Sequence, residues 1–204
     1  SGAKFMTQKL NIRIVNGIQI TEENIGEFLP RGNVGMDDVR ASVLEIVDNV
    51  RSGGNQSIKQ YTEKFDGIDY SDLPLKVTQD EIKEAFKVVD TQVIEALKKA
   101  IENVRTFHAK QIEDPWSVET QPGVKAGQIT RPISDVGLYV PGGKAVYPSS
   151  VVMTAIPAKV AGVERLIVCS PPQKDGGVSP AILVAAELCE VDEVHRCGGA
   201  QAIA

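Results

Sequence analysis

The sequence predicts an α/β protein: an amino-terminal helical layer, a β-hairpin connector, and a parallel sheet that fills the last third of the chain. Three observations carry this. The apolar runs Val136 to Val140, Leu166 to Cys169 and Val194 to Cys197 begin 30 and 28 residues apart, the length of one strand-helix unit. Each run stops at turn-forming residues, Pro141-Gly142-Gly143, Ser170-Pro171-Pro172 and Gly198-Gly199. Residues 37–115 instead carry apolar residues at helical spacing.

In chain order, Ser1-Gly-Ala-Lys-Phe5 ahead of Met6 reads as an added leader and is set aside, within an amino-terminal segment 1–36. Val39, Val43, Ile46, Val47 and Val50 form a helical stripe that Gly53-Gly54 stops with a left-handed cap. A short helix through Ile58, Tyr61 and Phe65 follows. Thr78-Gln-Asp-Glu81 is a capping box for a helix presenting Ile82, Ala85, Phe86 and Val89. Ile94, Leu97, Ile101 and Val104 make the next stripe, which ends beside His108. In segment 116–134, Gln121-Pro-Gly-Val124 places proline and glycine where a type II turn needs them, between strands through Ser117 to Thr120 and Gly127 to Thr130.

Segment 135–204 alternates strand and helix, which predicts a Rossmann-like parallel βαβαβ sheet with right-handed crossovers. Ser149 and Ser150 are the expected caps of its first helix, and Pro157 is an expected kink. Ser179 ahead of Pro180 is the expected cap of the second. The chain stops just into a helix after its last strand, so the reading is a truncated protein whose uncovered last strand favours self-association.

Composition narrows the function. With 42% hydrophobic and 24% charged residues, 204 residues support a packed core, and disorder is not indicated. The net charge of −5, with no Lys/Arg run, argues against nucleic acid. No apolar stretch approaches the roughly 18 residues of a membrane span, and the amino terminus lacks a signal-peptide layout, so the expectation is a cytoplasmic protein. Three cysteines without a C-x-x-C make neither a disulfide framework nor a zinc ribbon; Cys169, Cys189 and Cys197 read as small buried hydrophobes, or as thiols near a ligand.

A parallel sheet gathers its ligand at the carboxyl ends of its strands, and the candidates are sought there. Gly142-Gly143 lets backbone approach a ligand closely, yet neither the G-x-G-x-x-G fingerprint nor a Walker loop is present around Gly143-Lys144. Tyr139 is placed to lie along a nucleotide ring or ribose, or to be a core tyrosine. Gln201 is placed to hydrogen-bond a bound amide or phosphate, or to sit on a helix surface. His108 and His195 have no i, i+4 partner for a zinc site; His108 reads as a packed histidine, and no carboxylate pair stands out for acid/base work.

Thr120-Gln-Pro-Gly-Val124, Thr130-Arg-Pro132, Val136-Gly-Leu-Tyr-Val-Pro-Gly-Gly143, Val168-Cys-Ser-Pro-Pro172 and Gly198-Gly-Ala-Gln-Ala-Ile-Ala204 closely resemble histidinol dehydrogenases, as do Tyr61-Thr-Glu-Lys-Phe-Asp66 and Phe107-His-Ala-Lys-Gln111. The resemblance implies an aldehyde-dehydrogenase-like fold and oxidation of L-histidinol through the aldehyde to L-histidine by two NAD in succession. It also implies a zinc ion and a homodimer. It maps NAD contacts onto Tyr139 and Gln201, and it places the zinc ligands and the catalytic Glu-His pair beyond Ala204, so the chain alone is expected to be inactive. Two functions stay open: the cofactor-binding half of that enzyme, or a stand-alone non-catalytic nucleotide-binding or assembly module. A reading frame continuing past Ala204 into zinc-ligand histidines separates them.

Overall fold

The computed structural model describes Thr21, Asn24 and residues 36–70, 73–142 and 146–204. The chain divides into two compact units, Ser1–Ser42 and Val43–Ala204. Nearly all of segment 1–36, and Gly143 and Lys144 of the turn singled out above, lie outside the described residues.

Helix α1 (Met36–Gly53) crosses the boundary between the units. In the second unit Ile46 and Val50 of its stripe are buried. The helix stops where expected, with Gly54 at φ 56° and its N–H bonded to the Val50 carbonyl at 2.8 Å. Its ψ of −136° lies outside the left-handed helical well, so Gly54 turns the chain straight into α2 (Asn55–Asp66). The left-handed cap comes one helix later, at Gly67, φ 71° and ψ 27°.

Helix α3 (Gln79–Val88) opens on the complete capping box: Thr78 accepts from the Glu81 N–H, and Glu81 reaches back to the Thr78 N–H at 2.8 Å. Asp90 caps α4 (Thr91–His108) by accepting from the Gln92 N–H at 2.7 Å. Strands β1 (Trp116–Gln121) and β2 (Val124–Gln128) form the predicted antiparallel hairpin. Gly123 at its turn has φ 82°, as the second central residue of a type II turn requires.

Strands β3 (Asp135–Tyr139), β4 (Arg165–Ser170) and β5 (Glu193–Arg196) pair in parallel in the order β3-β4-β5. The linking helices are α5 (Pro148–Val160) and α6 (Pro180–Leu188), and α7 (Gly199–Ile203) follows β5. The caps differ from expectation. Tyr147 occupies the cap of α5 with Pro148 behind it, so Ser149 and Ser150 fall inside the first turn. Ser179 does cap α6 by position, but its hydroxyl makes no cap hydrogen bond. Proline supplies the start in both cases, since its fixed φ suits a first turn whose amide has no helical partner. Helix α5 runs through Pro157, which stands in its last turn.

The sheet has two unlike faces. Leu166, Val168 and Val194 point to one side at 0 to 3% exposure, where α5 and α6 cover them. Helix α4 packs on α5 and α3 on α6, so Ile82, Ala85 and Leu97 join the same core. Being covered on both sides, α6 is apolar all round, with Ile182 to Ala186 buried. The opposite face is half-open and polar. Arg165 bridges Asp135 at 3.5 Å and Glu193 at 3.1 Å, while Glu193 also takes His195 at 2.9 Å and Lys76 at 3.5 Å.

The last strand is not left bare, contrary to the expectation behind self-association. Leu75–Val77 runs antiparallel beside it: the Val77 N–H donates to the Val194 carbonyl and the Arg196 N–H to the Leu75 carbonyl, both at 2.8 Å. The unpaired backbone groups that would recruit another chain are satisfied within this one. Arg196, 1% exposed, then closes the join by donating to both Glu81 oxygens at 2.7 and 2.8 Å.

Two stability predictions follow from these charges. Glu81→Ala removes the capping-box acceptor and strands a buried guanidinium; the expected loss is about 2–4 kcal/mol in urea unfolding, below the fully buried limit because Glu81 keeps contact with water. A loss under half a kcal/mol would show that Arg196 is not held by this pair. Glu193 is held down to about 2, by His195 first and then Arg165. A depressed carboxyl stabilises the fold fully above its unfolded value near 4.5, and that contribution disappears as the pH falls through 2. Glu193→Gln should therefore flatten the acid limb of stability across that window, and an unchanged limb would locate acid sensitivity elsewhere.

Candidate functional site

The carboxyl ends of the three strands converge tightly, and missing side chains make this possible. A Cβ on Gly142 would lie 3.2 Å from both the Pro171 carbonyl and Ser170 Oγ. One on Gly198 would fall 2.5 Å from the Pro171 ring, nearer than real Cβ atoms approach. The turns after β3, β4 and β5 are thus packed against one another as one edge.

Polar groups at this edge are buried without partners. Gln201 is 1% exposed, and neither its carboxamide oxygen nor its nitrogen has a hydrogen-bond partner; the same is true of Ser170 Oγ. The surface-helix alternative for Gln201 is thereby ruled out. Its side chain folds back over Gly199, at φ 65°, with Oε1 2.6 Å from where a Cβ would stand. An unpaired buried carboxamide is costly, about 1–3 kcal/mol, and such groups mark places where a ligand or an ordered water supplies the bond.

Tyr139 ends β3 at 39% exposure, on the open face of the sheet. That exposure rules out the core-tyrosine alternative. The register places Cys169 beside it and His195 beyond, in one row. Helix α7, which carries Gln201, packs against β3, so both nominated residues belong to one end of the sheet. Carboxamide, hydroxyl and phenol ring together offer hydrogen bonds in both directions and a flat apolar surface.

The histidines fall apart as sites. His108 is half-buried, bonded through Nδ1 to Gln111 at 2.5 Å and edge-on to Phe107. His195 is tied to Glu193. Among the described residues, no group of three or more His, Cys, Asp or Glu is arranged to hold a metal ion. Nor is any helix there long and apolar enough to cross a membrane.

Two polar residues of this edge escaped sequence reasoning. Ser170 and Arg196 each continue a period-two row of core-facing residues, Leu166-Val168-Ser170 and Val194-Arg196. A polar residue in a buried register was the available signal.

The geometry yields a direct test. Gly199→Ala forces a left-handed φ on a residue with a side chain and pushes its Cβ into Gln201. The expected cost is about 1–2 kcal/mol in unfolding, with displaced Gln201 side-chain amide signals in NMR. Unchanged stability and unchanged signals would contradict the packing described.

The sequence profile of the family described as histidinol dehydrogenase matches residues 29–204. A histidinol dehydrogenase of Methanothermobacter thermautotrophicus is 45% identical over 190 residues, covering 92% of this chain and 44% of its own length. That of Clostridium acetobutylicum is 46% identical over 167 residues, 82% of this chain and 38% of the relative. The crystal structure of histidinol dehydrogenase from Elizabethkingia anophelis aligns with a TM-score of 0.77 at 36% identity, over 81% of this chain and 38% of that one. The chain therefore spans less than half the length of these relatives. Matched from residue 29 to its last residue, the chain belongs to the histidinol dehydrogenase family.

Proposed function

We propose that this chain supplies the NAD-facing part of an enzyme that oxidises L-histidinol through the aldehyde to L-histidine, the last steps of histidine biosynthesis. The observation that carries the reading is the buried, unpartnered carboxamide of Gln201 at the carboxyl edge of a parallel sheet. NAD, when bound, accepts the hydride. Gln201 and Tyr139 are the residues that would hold it. The carboxamide offers an N–H and a C=O to a polar group of the ligand, so an orphaned pair of atoms gains partners on binding. The Tyr139 ring offers an aromatic face to a base or ribose. Gly142 and Gly198, by carrying no side chain, let the turns after β3 and β5 close on the Pro171 turn and keep the edge narrow.

Zinc is part of the reading for the whole enzyme, but the described residues do not fit it, and no step is routed through it. The whole enzyme is taken to be a cytoplasmic homodimer acting on free L-histidinol, with neither nucleic acid nor membrane as partner.

Titration of the chain with NAD, followed by NMR, tests the proposal. Signals of Tyr139, Gln201 and the turns after β3 and β5 should shift. Tyr139→Ala should weaken the response by about 0.5–1.5 kcal/mol, the worth of an aromatic contact. Shifts confined to α1 through α4 would overturn the assignment, and a chain indifferent to NAD would favour the non-catalytic module.

A further inference from the structure

The hairpin β1–β2 has no part in the function above, and every residue of both its strands is exposed. Its two faces differ. Trp116, Val118, Val124 and Ala126 alternate onto one, and Ser117, Glu119, Lys125 and Gly127 onto the other. A two-stranded hairpin is marginal by itself in water, and independent stability takes three or more strands with an apolar face. Among the described residues, no strand pairs with either outer edge of this hairpin.

We propose that β2 is a docking edge for a second copy of this chain. The two β2 strands run antiparallel across a twofold axis at Ala126, so that two hairpins make one four-stranded sheet with its apolar residues on a single face. The proposal rests on the homodimer part of the reading above and gives that dimer its contact surface.

The edge is chosen by regularity. Pairing within the hairpin slips by one residue on the β1 side, between Glu119 and Gln121, and an irregularity of that kind bends a strand and blocks its edge. Strand β2 has no such break. The register is chosen by charge. Residues opposite each other in a sheet point to the same side, so the axis falls on a residue and not between two. On Lys125 it would set two ammonium groups face to face, which is unfavourable. On Ala126 it pairs the whole of β2: Val124 with the partner's Gln128, Lys125 with the partner's Gly127, and Ala126 with its own copy. Glycine leaves room there for the lysine stem.

Charge also favours a second copy as the occupant. Residues 116–128 carry only Glu119 and Lys125, which stand directly opposite each other, whereas the whole chain is at −5. A neutral arm lets two copies of an acidic chain meet without local repulsion. Meeting there also brings each hairpin above the two strands that are marginal alone.

The test is sedimentation velocity of the full 204-residue chain over a range of concentrations, with hydrogen exchange of the β2 amides followed alongside. Wild type should pass from monomer to dimer as concentration rises, and the β2 amides facing away from β1 should slow in step. Ala126→Lys and Ala126→Glu should each weaken association at least about tenfold, since each sets like charges opposite one another at the axis. An equimolar mixture of the two variants should re-form the dimer. A chain that stays monomeric with fast β2 amides would overturn the proposal. So would a dimer that leaves those amides fast and that neither variant weakens; that result would keep the homodimer and move its contact elsewhere. The wild-type exchange pattern decides this even where a variant fails to fold.

Discussion

One buried guanidinium joins the helical part of this chain to its sheet. Arg196 is the last residue of β5, and three of its groups are committed to four partners in other segments. Its N–H donates to Leu75, its carbonyl accepts from the Tyr70 hydroxyl, and its guanidinium meets Glu81 and the Gly176 carbonyl. Desolvating a charge costs several kcal/mol, so such a pair adds little relative to an apolar contact. Its removal one partner at a time is what is expensive. That asymmetry fixes where α3 sits, because any other seating leaves Arg196 buried and unpaired. Glu81 serves twice, closing the capping box of its own helix while neutralising the strand, which ties the start of α3 to the end of β5.

The position of that join matters for the site. Two residues separate Arg196 from Gly199, and within them the chain must pass the Pro171 ring without a side chain and then turn at positive φ to bury Gln201. A strand end held on one side by Arg196 and on the other by the Pro171 contact has little freedom. Preorganisation of this kind reduces what a ligand loses in ordering the groups that receive it.

The sheet's sidedness follows from chemistry as much as topology. The face under α5 and α6 is an unbroken apolar core, whereas the other carries Asp135, Arg165 and Glu193 below a row of Tyr139, Cys169 and His195. Charges half in water are inexpensive to keep there and would be costly on the covered side. The aromatic and thiol groups are left at the end where the strands deliver a ligand.

The sequence by itself determined what depends on local spacing. The three strands, the capping box at Thr78, the Pro122-Gly123 turn and the helical stripes at Ile82 and Leu97 are encoded in residues a few positions apart. That Tyr139 and Gln201 would stand at one end of the sheet was legible because a parallel sheet brings strand ends together whatever its detail. Tertiary structure decided the rest: the cover of β5 by Leu75–Val77 and the burial of Arg196 against Glu81. Each joins residues more than 100 positions apart, and no periodicity within a segment reports on such a distance. The cap of α5 was misread, and the hydroxyl of Ser179 at the cap of α6 makes no cap bond, for a related reason. Serine is a good cap only where its hydroxyl can reach the free amides, and with proline setting the first turn the chain had no need of it.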